Sequence, residues 1–131
     1  MKQRLNENDD RKESELLVFI KAKDLSAYIL LISGKSPVKY RYSLLNPLIN
    51  SCLDIIELLY EANELDIKDN RRLELIRKAK AKLKTIDFLS SLAKDASCFT
   101  AHQHDVILEK IGVCSKYLQG YYNSCKKALN I

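Results

Sequence analysis

Glycine, proline and tryptophan are scarce in this chain: its 131 residues include three, two and none of them. An all-β fold needs many tight turns, which draw on glycine and proline, so the composition argues against it. Long apolar runs are also missing. The longest, Ala27 to Ile32, falls far short of the roughly 20 residues that a membrane-spanning helix needs. Since the amino terminus is polar and unlike a signal peptide, we expect a cytoplasmic protein that does not associate with a membrane.

The residue patterns of catalysis and metal binding are missing as well. Four cysteines lie far apart, without a C-x-x-C pair, which favours free thiols in a reducing compartment: Cys52, Cys98, Cys114 and Cys125. Cys98, His102 and His104 match no standard zinc spacing. The chain also lacks the Glu-x-x-His pairs of di-metal bundles, the arginine–histidine spacing of HEPN-type RNases, a phosphate loop and a nucleophile elbow. We predict a protein that is not an enzyme and holds no metal or cofactor.

Apolar residues that recur every three or four positions predict four helices. Their expected bounds are about Arg11 to Ser33, near Ser43 to about Asn63, about Asp69 to Ala93, and near Thr100 to about Leu129. Helices of this length joined by short loops indicate an all-α fold, an antiparallel up-down-up-down four-helix bundle. The bundle domain is expected to span residues 11–131, and residues 1–10 to form a polar, flexible arm.

Each predicted helix has an apolar seam that we expect to face the core. In the first helix the seam is Leu16, Phe19, Ile20, Ala27, Leu30 and Leu31. In the second it is Leu45, Leu48, Ile49, Cys52, Ile56, Leu59 and Asn63. In the third it is Leu73, Ile76, Ala79, Leu83, Ile86, Leu89 and Ala93, and in the fourth it is Ile107, Ile111, Cys114, Leu118, Tyr121, Cys125 and Ala128. Gly34 is expected to end the first helix in the left-handed conformation, and Thr100 to cap the fourth.

Charge is segregated between two neighbouring segments. Eight of the seventeen residues from Lys68 to Lys84 are basic and two are acidic, whereas Ser43 to Ile67 contains five acids and no base. The net charges are therefore +6 and −5. A concentrated positive field on a rigid helix suits a polyanion such as nucleic acid. The pattern leaves open the alternative that the acidic helix neutralises the basic one.

The basic side chains of the third helix form two stripes when they are placed at 100° per residue. One stripe is Lys68, Arg71, Lys78 and Lys82, and the other, on the far flank of the apolar seam, is Arg77, Lys80 and Lys84. The connector between the first two helices adds further positive charge beside two tyrosines: Lys35, Lys39 and Arg41 with Tyr40 and Tyr42. Such residues can contact phosphates and stack on unpaired bases, although Tyr42 could equally pack onto the end of the bundle.

Several short motifs carry a family resemblance. They are Thr100-Ala101-His102-Gln103, Ile111-Gly112 and Leu118-Gln119-Gly120-Tyr121 in the fourth helix, and Pro37-Val38-Lys39 in the connector. In this pattern, which covers about Leu16 to Lys127, the chain resembles the accessory variability determinant (Avd) proteins of diversity-generating retroelements. Tyr121 stands where that family usually has tryptophan. His102 and Gln103 are assigned to capping of the fourth helix.

The resemblance implies a non-catalytic partner of a reverse transcriptase that binds template RNA or cDNA through a basic surface. It also implies a homo-oligomer, a pentamer in that family. With Lys68 from the first stripe, the predicted nucleic-acid-binding residues are Lys39, Arg41, Lys68, Arg71, Arg72, Arg77, Lys78, Lys82 and Lys84. The alternative is a protein–protein interaction module of the same superfamily with no nucleic-acid role, in which the acidic second helix of one subunit pairs with the basic third helix of another. A hydrolase or metal enzyme is a third reading.

Overall fold

Four long helices make up the computed structural model, which describes the backbone of residues 2–131 and the side chains of residues 12–131. The helices are α1 (Lys2–Ser33), α2 (Asn46–Glu64), α3 (Arg71–Asp95) and α4 (Ala101–Ala128). Each packs on the next along the chain, and α1 packs on α4, so the four form a closed ring. Because the loops are short, neighbouring helices run antiparallel. The predicted all-α, up-down-up-down four-helix bundle is confirmed.

The helix bounds agree with the prediction except at the start of α1. This helix begins at Lys2 rather than near Arg11. The side chains of the predicted arm, residues 1–10, lie outside the described residues, so its flexibility stays a prediction. The connector contains a 3₁₀ turn at Val38–Tyr40 and a π-helical turn at Arg41–Leu45, which leads into α2. Pro47 lies in the first turn of α2, where its missing N–H costs nothing.

The amino terminus of α4 is closed by a capping box, as the Thr100 prediction required. Oγ1 of Thr100 accepts a hydrogen bond from the Gln103 backbone N–H at 3.0 Å. In return, Oε1 of Gln103 accepts one from the Thr100 backbone N–H at 2.9 Å. Two otherwise unpaired amide groups are thereby satisfied. The assignment of Gln103 to capping is confirmed, and His102 takes no part in this cap.

The predicted left-handed residue, Gly34, is not left-handed, and two other residues that follow helices are. α1 does end at Ser33, but Gly34 does not have a positive φ. Ser97, with φ of 62°, follows α3, and Asn130, with φ of 58°, follows α4. After α3, the amide of Cys98 donates to the carbonyl of Ala93 at 2.8 Å, the bond of a Schellman motif.

The core contains the predicted seams of α3 and α4 but not that of α1. In α1 the buried residues are Val18, Ala22, Leu25, Ile29 and Ile32. By contrast, Leu16, Ile20, Leu30 and Leu31 are 48 to 63% exposed. The predicted seam of α1 was wrong because this helix is apolar on both sides, so contact with α2 and α4 decides which side is buried.

All four cysteines are free and buried, as predicted. Burial raises the pKa of the Cys52 thiol to about 12 and that of Cys114 to about 11. Both thiols therefore stay protonated and unreactive near neutral pH. None of the helices in the described part of the chain combines the length and the hydropathy that crossing a membrane requires.

Candidate nucleic-acid interface

The predicted basic residues lie at two separate places on the bundle. Lys39 and Arg41 are exposed on the connector, at one end. Lys68 and Arg71 are at the opposite end, where α3 begins. Between these ends runs α2, whose 19 residues span about 28 Å at the usual rise per residue. The predicted set is therefore not one cluster, and its two parts need separate consideration.

The connector presents an exposed tyrosine beside its basic residues. Tyr42 is 80% exposed, so the alternative in which it packs onto the end of the bundle is wrong. Nζ of Lys39 lies 5.0 Å from the centroid of the Tyr40 ring. Ser36 Oγ donates to the carbonyl of Cys98 at 2.9 Å and ties the connector to the α3–α4 loop. This end of the bundle therefore offers an aromatic ring and two cations on a fixed turn.

Arg72 is not part of any basic surface, because it is buried. Only 3% of it is exposed. Its Nη2 donates to the Tyr121 hydroxyl at 2.6 Å and to Oε1 of Glu15 at 2.8 Å. The prediction that Arg72 contacts nucleic acid is corrected accordingly, since a guanidinium committed to internal partners cannot reach a phosphate.

The hydrogen bonds around Arg72 connect all four helices. The Tyr121 hydroxyl donates in turn to Oδ1 of Asn63. We call Glu15, Asn63, Arg72 and Tyr121, which come from α1, α2, α3 and α4, the four-helix polar cluster. Burial raises the pKa of Tyr121 to about 12, so its hydroxyl keeps the proton that it donates. The cluster fixes the level of each helix relative to the other three.

One of the two basic stripes on α3 faces the acidic helix α2. Nζ of Lys82 lies 3.0 Å from Oδ2 of Asp54. At the start of α3, Nη2 of Arg71 lies 2.6 Å from Oδ2 of Asp69, and hydrogen bonds from Arg71 hold the pKa of Asp69 below its usual range. On this flank the open alternative holds in part: Asp54 of α2 neutralises Lys82, and Asp69, which precedes α3, neutralises Arg71.

Lys78 completes this stripe in an acidic setting. It lines a groove of about 500 Å³ between α2 and α3, together with Glu61, Glu64, Leu65, Arg71, Glu74 and Leu75. Three carboxylates therefore share the groove with two cations. Lys68, before α3, is exposed and close to Asp66, whose Oδ1 accepts a bond from its backbone N–H at 2.8 Å. The whole α2-facing stripe is poorly suited to a polyanion.

The second stripe faces α4 and meets no acidic helix. Nε and Nη2 of Arg77 donate to the Tyr122 hydroxyl at 3.1 and 2.7 Å. Lys80 donates to Oε1 of Gln119. The charged groups of three side chains surround the Tyr122 ring: Arg77 at 5.5 Å from its centroid, Lys126 at 5.7 Å and Lys80 at 5.8 Å. We call Arg77, Lys80, Lys84, Lys126 and Tyr122 the α3–α4 basic patch.

The α3–α4 basic patch has almost no internal neutralisation. Among the residues whose side chains are described, Glu74 is the one carboxylate that pairs with its cations, at 3.6 Å from Nη1 of Arg77. Both partners are at least 60% exposed, and such pairs contribute little. Three cations around one ring repel each other, so an anion placed among them would relieve that repulsion. The patch is therefore the better candidate for phosphate binding.

Three members of the α3–α4 basic patch were absent from the predicted nucleic-acid-binding residues: Lys80, which was placed in the second stripe but not in that set, Tyr122 and Lys126. Tyr122 and Lys126 lie four residues apart on α4, which places them on one face of a helix. They also sit one residue after Tyr121 and Cys125 of the buried seam, and thus on its flank. This spacing was a usable signal, but only the packing of α4 on α3 shows which basic stripe they join.

Comparison with known proteins adds no assignment. No protein-family model, no curated protein and no solved structure matches this chain. Within the described side chains, no group of three or more His, Cys, Asp or Glu residues is placed to hold a metal ion.

Proposed function

We propose that this chain is a non-catalytic accessory protein of a diversity-generating retroelement. It binds template RNA or cDNA through the α3–α4 basic patch, docks a reverse transcriptase and self-associates. The observation that carries the nucleic-acid part is the convergence of Arg77, Lys80 and Lys126 on the Tyr122 ring with Glu74 as their paired carboxylate. The motif resemblance supplies the retroelement setting.

The geometry of the patch suits a single strand. Four cations on adjacent flanks of α3 and α4 can follow a phosphate backbone, and each phosphate contact on a single strand contributes a salt slope of about 0.7. The half-buried Tyr122 holds two of these cations in place rather than leaving them to sample solvent. The connector tyrosine, Tyr42, offers a separate surface on which an unpaired base can stack.

The alternative, a protein–protein module in which α2 of one subunit pairs with α3 of another, has less support. It requires the acids on the α3-facing side of α2 to be available to a second chain. Asp54 instead pairs with Lys82 of its own chain at 3.0 Å. The basic residues left without carboxylates face α4, away from α2.

The test compares two triple variants that remove the same charge. One is Arg77→Gln, Lys80→Gln and Lys126→Gln in the patch, and the other is Arg71→Gln, Lys78→Gln and Lys82→Gln in the α2-facing stripe. Fluorescence anisotropy of a labelled single-stranded RNA is measured from 50 to 300 mM salt. We expect the patch variant to bind at least about tenfold more weakly, with a salt slope reduced by about 2. The α2-facing variant is expected to stay within about threefold of the unaltered protein.

Equal losses in the two variants would mean that net charge alone attracts the RNA, and a larger loss in the α2-facing variant would contradict the choice of patch. Circular dichroism is the control, and both variants are expected to stay helical.

The retroelement setting has its own test. A reverse-transcriptase gene with paired variable and template repeats should lie beside the gene, and its product should co-purify with this chain. A neighbourhood without them would contradict that part of the proposal.

A further inference from the structure

One face of the bundle, formed by α1 and α2, is apolar yet open to solvent. We call it the α1–α2 face, and its members are Leu16, Ile20, Lys23, Ala27 and Leu30 of α1 with Leu53, Glu57 and Tyr60 of α2. The five large apolar side chains among them are 48 to 61% exposed. The α1 members fall within an arc of about 80° on the helix, opposite the buried residues. The face is thus a continuous surface and not a scatter of single residues.

The α1–α2 face is comparable in area to the largest apolar patch of an ordinary monomer. Five apolar side chains, each more than two-fifths exposed, offer roughly 500 Å² at about 100 Å² each. The largest apolar patch of an ordinary monomer is about 300 to 600 Å² and often marks an interaction site. Lys23, Ala27 and Glu57 extend the area toward the roughly 800 Å² that each partner contributes to a stable interface.

The level of α1 against α2 is set by an aromatic contact. The rings of Phe19 and Tyr60 lie 4.8 Å apart, centroid to centroid. Because the helices are antiparallel, each step forward along α1 is matched by a step back along α2. Three pairs then lie within one residue, about 1.5 Å, of the same level: Ile20 and Tyr60, Lys23 and Glu57, and Ala27 and Leu53. The first pair is apolar, the second joins opposite charges, and the third sets a small residue beside a large one.

We propose that the α1–α2 face binds the same face of a second copy of this chain, about a two-fold axis parallel to the helices. Such an axis places α1 of one copy against α2 of the other, and it leaves the height of every residue along the helix axis unchanged. Lys23 of each copy then meets Glu57 of the other, Ile20 meets Tyr60, and Ala27 leaves room for Leu53. One neighbour covers both helices, so the face fits a dimer, whereas the family resemblance implies five copies.

The charges of the face support this occupant. Lys23 and Glu57 are exposed, and among the described side chains neither has an ion-pair or hydrogen-bond partner. A lysine covered by an apolar surface loses its hydration and needs a carboxylate in return. The second copy presents Glu57 at the required level. This inference rests on the proposed function only for the idea of self-association, since the face lies apart from the α3–α4 basic patch.

The experiment is a charge exchange followed by light scattering at about 100 μM protein without RNA. The unaltered chain is expected at about 30 kDa, twice its 15.1 kDa. Lys23→Glu and Glu57→Lys each place like charges at both pairs, so each variant should dissociate at least about a hundredfold more readily. An equimolar mixture of the two variants restores opposite charges at both pairs and should form the dimer again. Lys116→Glu and Glu109→Lys, on α4, make the same charge changes and should leave the dimer intact.

Three results would overturn the inference: a monomeric unaltered chain, variants that still associate, or a mixture that stays monomeric. A particle of about 75 kDa that ignores the exchange would support a pentamer built on another face. RNA binding is measured separately. A monomer that binds RNA through the patch would contradict this inference alone, and a dimer that ignores RNA would contradict the proposed function alone.

Discussion

Ser97 shows how a single backbone angle limits the stability of the turn after α3. With φ of 62° it lies in the left-handed region, which costs an L-residue roughly 1 kcal/mol or more. The conformation persists because it closes α3: the amides of Ser97 and Cys98 donate to the carbonyls of Lys94 and Ala93 at 2.9 and 2.8 Å. Glycine is the usual residue at this position, since it has no Cβ to clash.

Ser97→Gly should therefore raise the free energy of unfolding by about 0.5 to 1 kcal/mol, the strain relieved less the extra entropy of glycine in the unfolded chain. Denaturant titration at fixed protein concentration measures the change. Ser97→Val, with a branched Cβ, should lower stability instead. A less stable glycine variant would show that the serine side chain contributes more than its backbone strain costs.

At the scale of helices, the four-helix polar cluster fixes the position of each helix along its axis, which the apolar seams alone would leave free to shift. Apolar seams are forgiving of a shift along the helix axis, but hydrogen bonds are not. Arg72 reaches Glu15 of α1 and Tyr121 of α4, and Tyr121 reaches Asn63 of α2. Removing one member leaves buried polar atoms without partners, and this costs more than the lost bond itself.

Tyr121→Phe tests the cluster with almost no change in volume. The substitution removes one hydrogen-bond partner from Arg72 and one from Asn63, so we expect the free energy of unfolding to fall by about 1 to 3 kcal/mol. Tyr117→Phe on the same helix is the control, because its hydroxyl has no hydrogen bond among the described residues, and it should change stability by less than about 0.5 kcal/mol. Equal effects of the two substitutions would refute the role of the cluster.

The helices also show where a sequence pattern is sufficient and where it is not. In α3 and α4 most of the side opposite the seam is polar or charged, so helical period alone identified the buried apolar residues, although not the buried Arg72, Ser90 and His104. In α1 both sides are apolar, and one of the two became the α1–α2 face. Arg72 lies four residues before Ile76 and seven before Ala79, the spacing of the seam, yet its charge placed it on the predicted surface. Burial of an arginine depends on partners from other helices, which no single helix pattern contains.

At the scale of the whole molecule, the two sides of α3 differ in how far their positive charges are neutralised. Asp54 of α2 pairs with Lys82 on one side of α3, whereas Arg77, Lys80 and Lys126 surround Tyr122 on the side that faces α4. The two stripes were predictable from 100° geometry. Which stripe would be neutralised was not, because the answer depends on whether α2 or α4 packs against it. The same arrangement keeps the α1–α2 face separate from the basic patch, so the proposed self-association and the proposed RNA binding need not compete.

Buried thiols and the buried Tyr121 phenol, whose pKa values are raised, make the whole bundle less stable at alkaline pH. Burial raises the pKa of Cys52 from 9.0 to about 12, that of Cys114 from 9.0 to about 11, and that of Tyr121 from 10.0 to about 12. The unfolded chain releases these protons at lower pH than the folded chain. The folded state then binds more protons, so stability falls as pH rises. Their contribution is fully present below pH 9 and is lost progressively up to pH 12.

We expect the free energy of unfolding to change little from pH 7 to 8.5 and then to fall by about 1 to 3 kcal/mol per pH unit between pH 9.5 and 11. Denaturant titrations under reducing conditions measure this slope. Cys52→Ala removes one of the groups, so its slope over the same interval should be shallower by about 1 kcal/mol per pH unit, whatever the cavity costs at neutral pH. A slope that the substitution leaves unchanged would mean that Cys52 titrates alike in the folded and unfolded chain, which its burial at 2% exposure argues against.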